Sequence, residues 1–214
     1  MIQTGPSVLL GLGVYAGVVI LGQFTLLIFY LLLALILGKR NPWSFFRQIK
    51  DPFLIAFSTN SSAATMPISM KSAENELKVR PSIAQFVIPI GATANMGGTA
   101  LYQAMATVFM AQMFEVDLAL PVLLALVITT VGASIGTPAV PGVGIIVLSS
   151  VLNSAGIPLT GLALIIGLDR LLERFRTSLN VTGDLVACSV MDRLLPAPMT
   201  REEEIEALEK APQA

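Results

Sequence analysis

The sequence contains no histidine and a single cysteine, Cys188, among 214 residues. Without histidine the chain lacks the commonest proton shuttle and metal ligand at neutral pH. One cysteine excludes an intrachain disulfide and offers no metal cluster. Charge is scarce too: Asp, Glu, Lys and Arg make up 13% of residues, against about 25% in an ordinary soluble domain. The 13 cations and 14 acids nearly cancel to a net charge of −1, so nothing points to nucleic acid. What is present is apolar: 54% of residues are hydrophobic and the mean hydropathy is +0.77. These values describe an integral membrane protein. The start, MIQTGPSVLL, has no positive n-region, and the uncharged stretch after it is too long for the h-region of a signal peptide.

Taken in order, residues 1–38 carry no charge and predict one long transmembrane helix, stopped at Gly38-Lys39-Arg40-Asn41-Pro42. Residues 39–80 hold seven cations. Between Lys50 and Lys71 the apolar flanks are too short to span, and the centre, Ser58-Thr59-Asn60-Ser61-Ser62, forms helix poorly. A re-entrant hairpin with a polar tip fits this pattern, since irregular backbone at membrane depth needs protein or a water-filled cavity around it. A surface amphipathic segment with a Ser-rich loop is the alternative. Residues 81–114 are uncharged and long enough to span, but GATANMGGTALYQ interrupts them. A broken helix there frees carbonyls for a cation; close helix packing at small residues is the alternative.

Glu115 and Asp117 mark a polar turn, and then 51 residues, 118–168, carry no charge but many glycines and prolines. A second hairpin over 115–160, with SIGTPAVPGVG at its tip, is expected. Two plain spans are the alternative. Cation counting favours the hairpin: seven Lys and Arg lie in 39–80 and three in the tail, Arg193, Arg201 and Lys210. The positive-inside rule then puts both regions in the cytoplasm, which two full spans would violate for the C-terminus. The segments 161–190 and 191–214 read as a final transmembrane helix and a solvated tail.

That final helix carries Asp169, Glu173, Arg176, Asn180 and Asp184, spaced 4, 3, 4 and 4. At about 100° per residue they share an arc of roughly 80° and run through about 22 Å of rise. Thr177 lies beside them, whereas Arg170 and Arg174 fall on another face. A guanidinium can hold a carboxylate bidentately. A carboxylate with an amide and freed carbonyls can bind a hard cation. Internal salt bridging among these charges is the alternative, but ionisable groups inside a membrane mark function by default. An intramembrane hydrolase is disfavoured, because no His or Lys stands near a candidate Ser.

Four motifs carry a resemblance: Asn60-Ser61-Ser62-Ala63-Ala64-Thr65-Met66-Pro67; Asn95-Met96-Gly97-Gly98-Thr99; Ser134-Ile135-Gly136-Thr137 with Pro141-Gly142; and Arg176-Thr177 with Asn180-Val181-Thr182-Gly183-Asp184. Together they resemble the dicarboxylate/amino acid:cation symporter family, the glutamate transporter family. The resemblance implies an all-α membrane fold with transmembrane helices, two re-entrant hairpins and one broken helix, moving as an elevator against a trimeric scaffold. It implies Na⁺-coupled uptake of an acidic amino acid or C4-dicarboxylate at the inner (plasma) membrane, with H⁺ as an alternative coupling ion. It also implies a homotrimer where the scaffold half is present, and contact with membrane lipid. Arg176 would hold the substrate's distal carboxylate, with Ser62, Thr99, Thr177, Asn180 and backbone at Val140 and Gly144 around the rest. Asn95, Asn180, Asp184 and the Gly91 carbonyl would form one Na⁺ site. Thr93, Met96, Ser134, Ile135 and Thr137 would form another, closed by the second hairpin.

Two departures stand out. Gly97 replaces the family's usual aspartate, which removes a carboxylate from a third cation site. Glu173 replaces the aspartate that faces the substrate amino group in amino-acid transporters, which leaves a plain dicarboxylate as an open alternative. The family's members are also roughly twice as long, so the scaffold half is expected from elsewhere, or the chain is a partner subunit that needs it in trans.

Overall fold

The computed structural model describes residues 6–196, and every regular element in them is helical. α1 (Pro6–Ile36) is the one helix among the described residues that is both long and apolar enough to cross a bilayer, with a mean hydropathy of 2.5 over Leu9–Ile36. Its outward side chains, such as Leu9, Leu21, Phe24 and Ile28, are apolar. The short α2 (Pro42–Gln48) starts where Asn41 accepts hydrogen bonds from the Trp43 and Ser44 amides at 3.0 and 3.2 Å, with Pro42 at the first helical position.

α3 (Lys50–Thr59) and α4 (Ser62–Asn75) pack against each other. The turn between them is written in two residues. Asn60 ends α3 at φ 55°, a left-handed position that Asn tolerates. Ser61 then caps α4, its Oγ accepting from the Ala64 amide at 3.1 Å. α5 (Pro81–Ala94) and α6 (Gly97–Met113) are the two halves of the interrupted segment, separated by non-helical Asn95 and Met96. At 14 and 17 residues, each rises about 21–26 Å and falls short of a bilayer core of about 30 Å.

α7 (Leu120–Ser134) and α8 (Val143–Ser154) form the second pair, joined by an irregular stretch that ends at Gly142, φ 83°. Glycine, with no Cβ, adopts that left-handed conformation without steric cost. A 3₁₀ turn, Leu159–Gly161, leads into α9 (Leu162–Leu194), the 33-residue helix that packs against α1, α3, α4, α5, α6 and α8.

Two apolar clusters flank the middle of α9. One gathers Tyr30, Phe45, Leu77, Ile88 and Leu185; the other gathers Tyr15, Tyr102, Met110, Leu148 and Ile165. Between them the polar stripe of α9 is sequestered: Asp169, Glu173, Arg176, Thr177, Asn180 and Asp184 are all buried. Past residue 190, Arg80 binds the end of α9. Its Nε donates to Asp192 Oδ1 at 2.7 Å, and its Nη groups donate to the carbonyls of Asp192, Leu195 and Pro196. Burial alone would push the Asp192 carboxyl up, but the Arg80 hydrogen bonds and the Arg80 and Arg40 charges outweigh it and hold the group below its ordinary value. The stretch TREEEIEALEKAPQA, expected to be a solvated tail, lies outside the described residues.

Candidate functional site

The two tips meet over α9. Ser61 Oγ donates to the Ala139 carbonyl at 2.8 Å, and the Ala63 amide donates to the same oxygen at 3.3 Å. The Gly136 amide donates to the Thr93 carbonyl at 2.8 Å, tying the end of α7 to the end of α5. Beneath these contacts lies a polar cavity. All eight residues expected to hold substrate line it: Ser62, Thr99, Val140, Gly144, Glu173, Arg176, Thr177 and Asn180. Five of these six side-chain donors and acceptors outside the tip backbone come from α6 and α9, so their mutual positions rest on one helix–helix contact. The free space is about 20 Å³, which holds about one water. A four-carbon diacid needs the tips to part.

Arg176 dominates the electrostatics. Its Nη2 donates to Glu173 Oε1 at 3.0 Å, its Nη1 lies 3.6 Å from Asp169 Oδ1, and its guanidinium sits over the Tyr102 ring, 4.5 Å from the centroid. The ion pair along the helix, one of the two readings open for these residues, is therefore made, but among side chains that are 2–3% exposed. A buried ion pair is weak evidence for stability, because desolvation offsets its attraction. Two carboxylates face one guanidinium here. Gly144 leaves room for it: a Cβ at that position would come 2.6 Å from Nη2. Arg170, 69% exposed, approaches Glu173 Oε2 only at 3.6 Å. Arg174 is exposed and lies over Phe57. Both lie off the stripe.

Asn180 fastens α6 to α9, accepting from the Gly98 amide at 2.8 Å and donating to Thr99 Oγ1 at 3.0 Å. Its amide is thereby turned toward Thr99, and Asn180 makes no hydrogen bond to Asp184. Asp184 accepts from Asn95 Nδ2 at 3.0 Å and packs directly against Gly91, where a Cβ would collide with the carboxylate. Among the described residues no cation stands within 4 Å of this buried acid. A carboxylate with one amide donor and no counter-ion fits a cation with oxygen ligands, and the Gly91 carbonyl, which accepts from the Asn95 amide at 2.8 Å, keeps a second lone pair for it. Asn95, Asp184 and Gly91 would hold it.

The second set is looser. Met96 and Thr137 line the cavity, and Thr93 meets the α7 end through Gly136. The Thr93, Ser134 and Thr137 hydroxyls donate back to carbonyls of their own segments, leaving their oxygens free to accept a cation. The Ile135 side chain is 56% exposed, so only its backbone could contribute. Gly97 abuts Tyr30: a Cβ would strike the phenol oxygen. The phenol takes up the room beside residue 97.

Several participants were not legible in advance. Tyr102 lies three residues beyond Thr99, the spacing of neighbours on one helix face, which could have flagged it. Asp169 stood on the stripe but had no assigned partner. The Ala139 carbonyl and the Gly142 and Gly98 amides leave no signature in side-chain chemistry.

The curated proteins to which this chain is similar are transporters. The chain is a member of the sodium:dicarboxylate symporter family, whose model matches residues 1–194. It is 40% identical over 184 residues to excitatory amino acid transporter 1 of Ambystoma tigrinum, covering 86% of this chain and 34% of that protein. It is 39% identical over 195 residues to the human excitatory amino acid transporter 5, covering 91% and 34%. The human excitatory amino acid transporter 3 is 39% identical over 184 residues, covering 86% and 35%. The chain thus spans about a third of the length of the curated relatives it matches.

Proposed function

We propose that this chain is the substrate- and cation-binding core of a secondary symporter that couples Na⁺ to uptake of an acidic amino acid or C4-dicarboxylate. One observation carries the reading: a buried guanidinium, Arg176, faces a cavity closed by two helix-pair tips, one turn from the Asn180 amide and two from the uncompensated Asp184 carboxylate. The names of the relatives support the substrate class.

In this scheme the pairs α3–α4 and α7–α8 are re-entrant hairpins entering from opposite sides, with the C-terminus cytoplasmic. Arg176 takes a substrate carboxylate bidentately. Thr99, Thr177, Asn180 and Ser62 complete its polar shell. A cation at Asn95, Asp184 and Gly91 neutralises the acid beneath that shell, and a second, near Thr93, Ser134 and Thr137, favours tip closure. Because closure requires both charges, cation and substrate binding are coupled. The core would slide as an elevator against a trimeric scaffold.

The test is calorimetry with aspartate, with and without Na⁺, on the purified chain. Na⁺-dependent binding lost in Arg176→Ala is expected; binding indifferent to Na⁺ or to that substitution would refute the reading. A second reading rests on the length match: as a third of its relatives' length, the chain would act as a partner subunit that needs a scaffold in trans. Co-purification with a second membrane chain, and ligand binding only in its company, would favour that.

A further inference from the structure

The end of α1 leads onto a surface that the cavity does not use. The first 38 residues carry no charge, and then four cations fall within twelve residues: Lys39, Arg40, Arg47 and Lys50. Asp51 is the only acid between residues 39 and 73. Arg40 is turned inward, its Nη2 donating to the Leu77 carbonyl at 2.6 Å. Lys39, Arg47 and Lys50 are exposed, and none of them forms an ion pair among the described residues. α2 lies between Lys39 and Lys50 in the chain. Phe45 on its inner face, and Ile49 just past its end, are fully buried in the cluster that holds Ala34 and Leu77. Trp43 and Arg47, four residues apart, share the opposite face, and Trp43 is 73% exposed. Just before this surface, Leu32, Leu35 and Ile36 are exposed on the last turns of α1.

We propose that this surface binds an anionic phospholipid of the surrounding bilayer, with Lys39, Arg47 and Lys50 on the headgroup and the acyl chains along the end of α1. A tryptophan at the end of a spanning helix sits at headgroup level, where its ring is half wet and half apolar. Cations clustered directly beyond such a helix lie in the same layer and attract negatively charged headgroups. The backbone of α2 is not available to a phosphate, because Asn41 already accepts from the Trp43 and Ser44 amides, so the lysines and the arginine must hold it. The surface is charged on its water side and apolar on its bilayer side. An amphiphile satisfies both sides at once. A soluble anion would leave the indole and the leucines uncovered, and salt would screen its attraction to exposed cations. The proposal does not depend on what the cavity binds.

Trp43 is the single tryptophan of the chain, so its fluorescence reads this surface directly. The full chain is reconstituted in vesicles of phosphatidylcholine and phosphatidylglycerol, with the acyl chains of one lipid or the other brominated so that contact quenches the indole. One cation near a bilayer surface strengthens association with anionic lipid about fivefold. Phosphatidylglycerol is therefore expected to associate at Trp43 at least about fivefold more strongly than phosphatidylcholine. Arg47→Gln should lower that ratio, and Lys39→Gln, Arg47→Gln and Lys50→Gln together should bring it to about one. All three side chains are exposed, so the fold is expected to survive, and an unchanged helical circular dichroism spectrum checks it. Equal quenching by the two lipids in the native chain, or a preference that survives the triple substitution, overturns the proposal. A preference that emerges only once residues 197–214 are removed also overturns it, because the acidic run Glu202-Glu203-Glu204 would then be the occupant.

Discussion

Asn180→Ala gives the sharpest test of how α6 is fixed to α9. Asn180 is 4% exposed and makes two hydrogen bonds, to the buried Gly98 amide at 2.8 Å and to Thr99 Oγ1 at 3.0 Å. The bond to Thr99 is worth about 1 kcal/mol net, and orphaning a buried backbone N–H costs about 1–3 kcal/mol. The expected loss is about 2–4 kcal/mol. For a chain of this size that lowers Tm by about 5–15 °C. The protein carries its own reporter, since Cys188 is its single thiol and is 0% exposed. A thiol-reactive fluorogenic dye therefore follows unfolding in detergent without labelling. Combined with Thr99→Val, Asn180→Ala should show a coupling energy of about 0.5–3 kcal/mol. A Tm shift below about 1 °C, or strict additivity with Thr99→Val, would refute the claim that this residue joins the two helices; cavity effects on affinity would then need another origin.

Three other outcomes follow from the same geometry. Gly97→Ala places a Cβ against the Tyr30 phenol oxygen, so it should destabilise the chain in thermal unfolding, and Tyr30→Phe should restore part of the loss; no rescue would show that the contact is not the cause. Asp192, held below its ordinary value by Arg80, contributes stability that is present above the unfolded carboxyl value of about 3.9 and is lost as pH falls through the lower folded value. The Tm gap between native chain and Asp192→Asn, read by intrinsic fluorescence, should therefore be constant at neutral pH and shrink below about pH 4, and a gap independent of pH would contradict it. Arg176→Ala should abolish Na⁺-dependent aspartate binding in calorimetry and also lower the Tm, because removing one partner of a buried pair leaves the Asp169 and Glu173 carboxylates without their shared cation.

The stripe on α9 was legible because helical spacing alone puts Asp169, Glu173, Arg176, Asn180 and Asp184 on one face, and a membrane chain does not carry such charges idly. The breaks at Asn60-Ser61 and Asn95-Met96 were legible from turn chemistry and low helix propensity. Other features were not. Nothing in the spacing of Glu173 and Gly142 says that a carboxylate on α9 would accept from that amide; the pair is separated by 31 residues and a 3₁₀ turn. Nor does Tyr30 announce that it would lie against Gly97, since one is in a featureless apolar run and the other in a helix break.

The sequence by itself determined the class of molecule, the breaks at Asn60-Ser61 and Asn95-Met96, and the residue types at the site. Those follow from hydropathy, periodicity and backbone preference, which act over a few residues. Only the tertiary structure decided which groups neutralise which. Arg176 chose Glu173 and Asp169, Asp184 was left with an amide alone, and both tips closed on one carboxylate. The physical reason is that charge pairing in a buried site depends on distances of a few ångströms between segments far apart in the chain, and local propensities do not fix those distances.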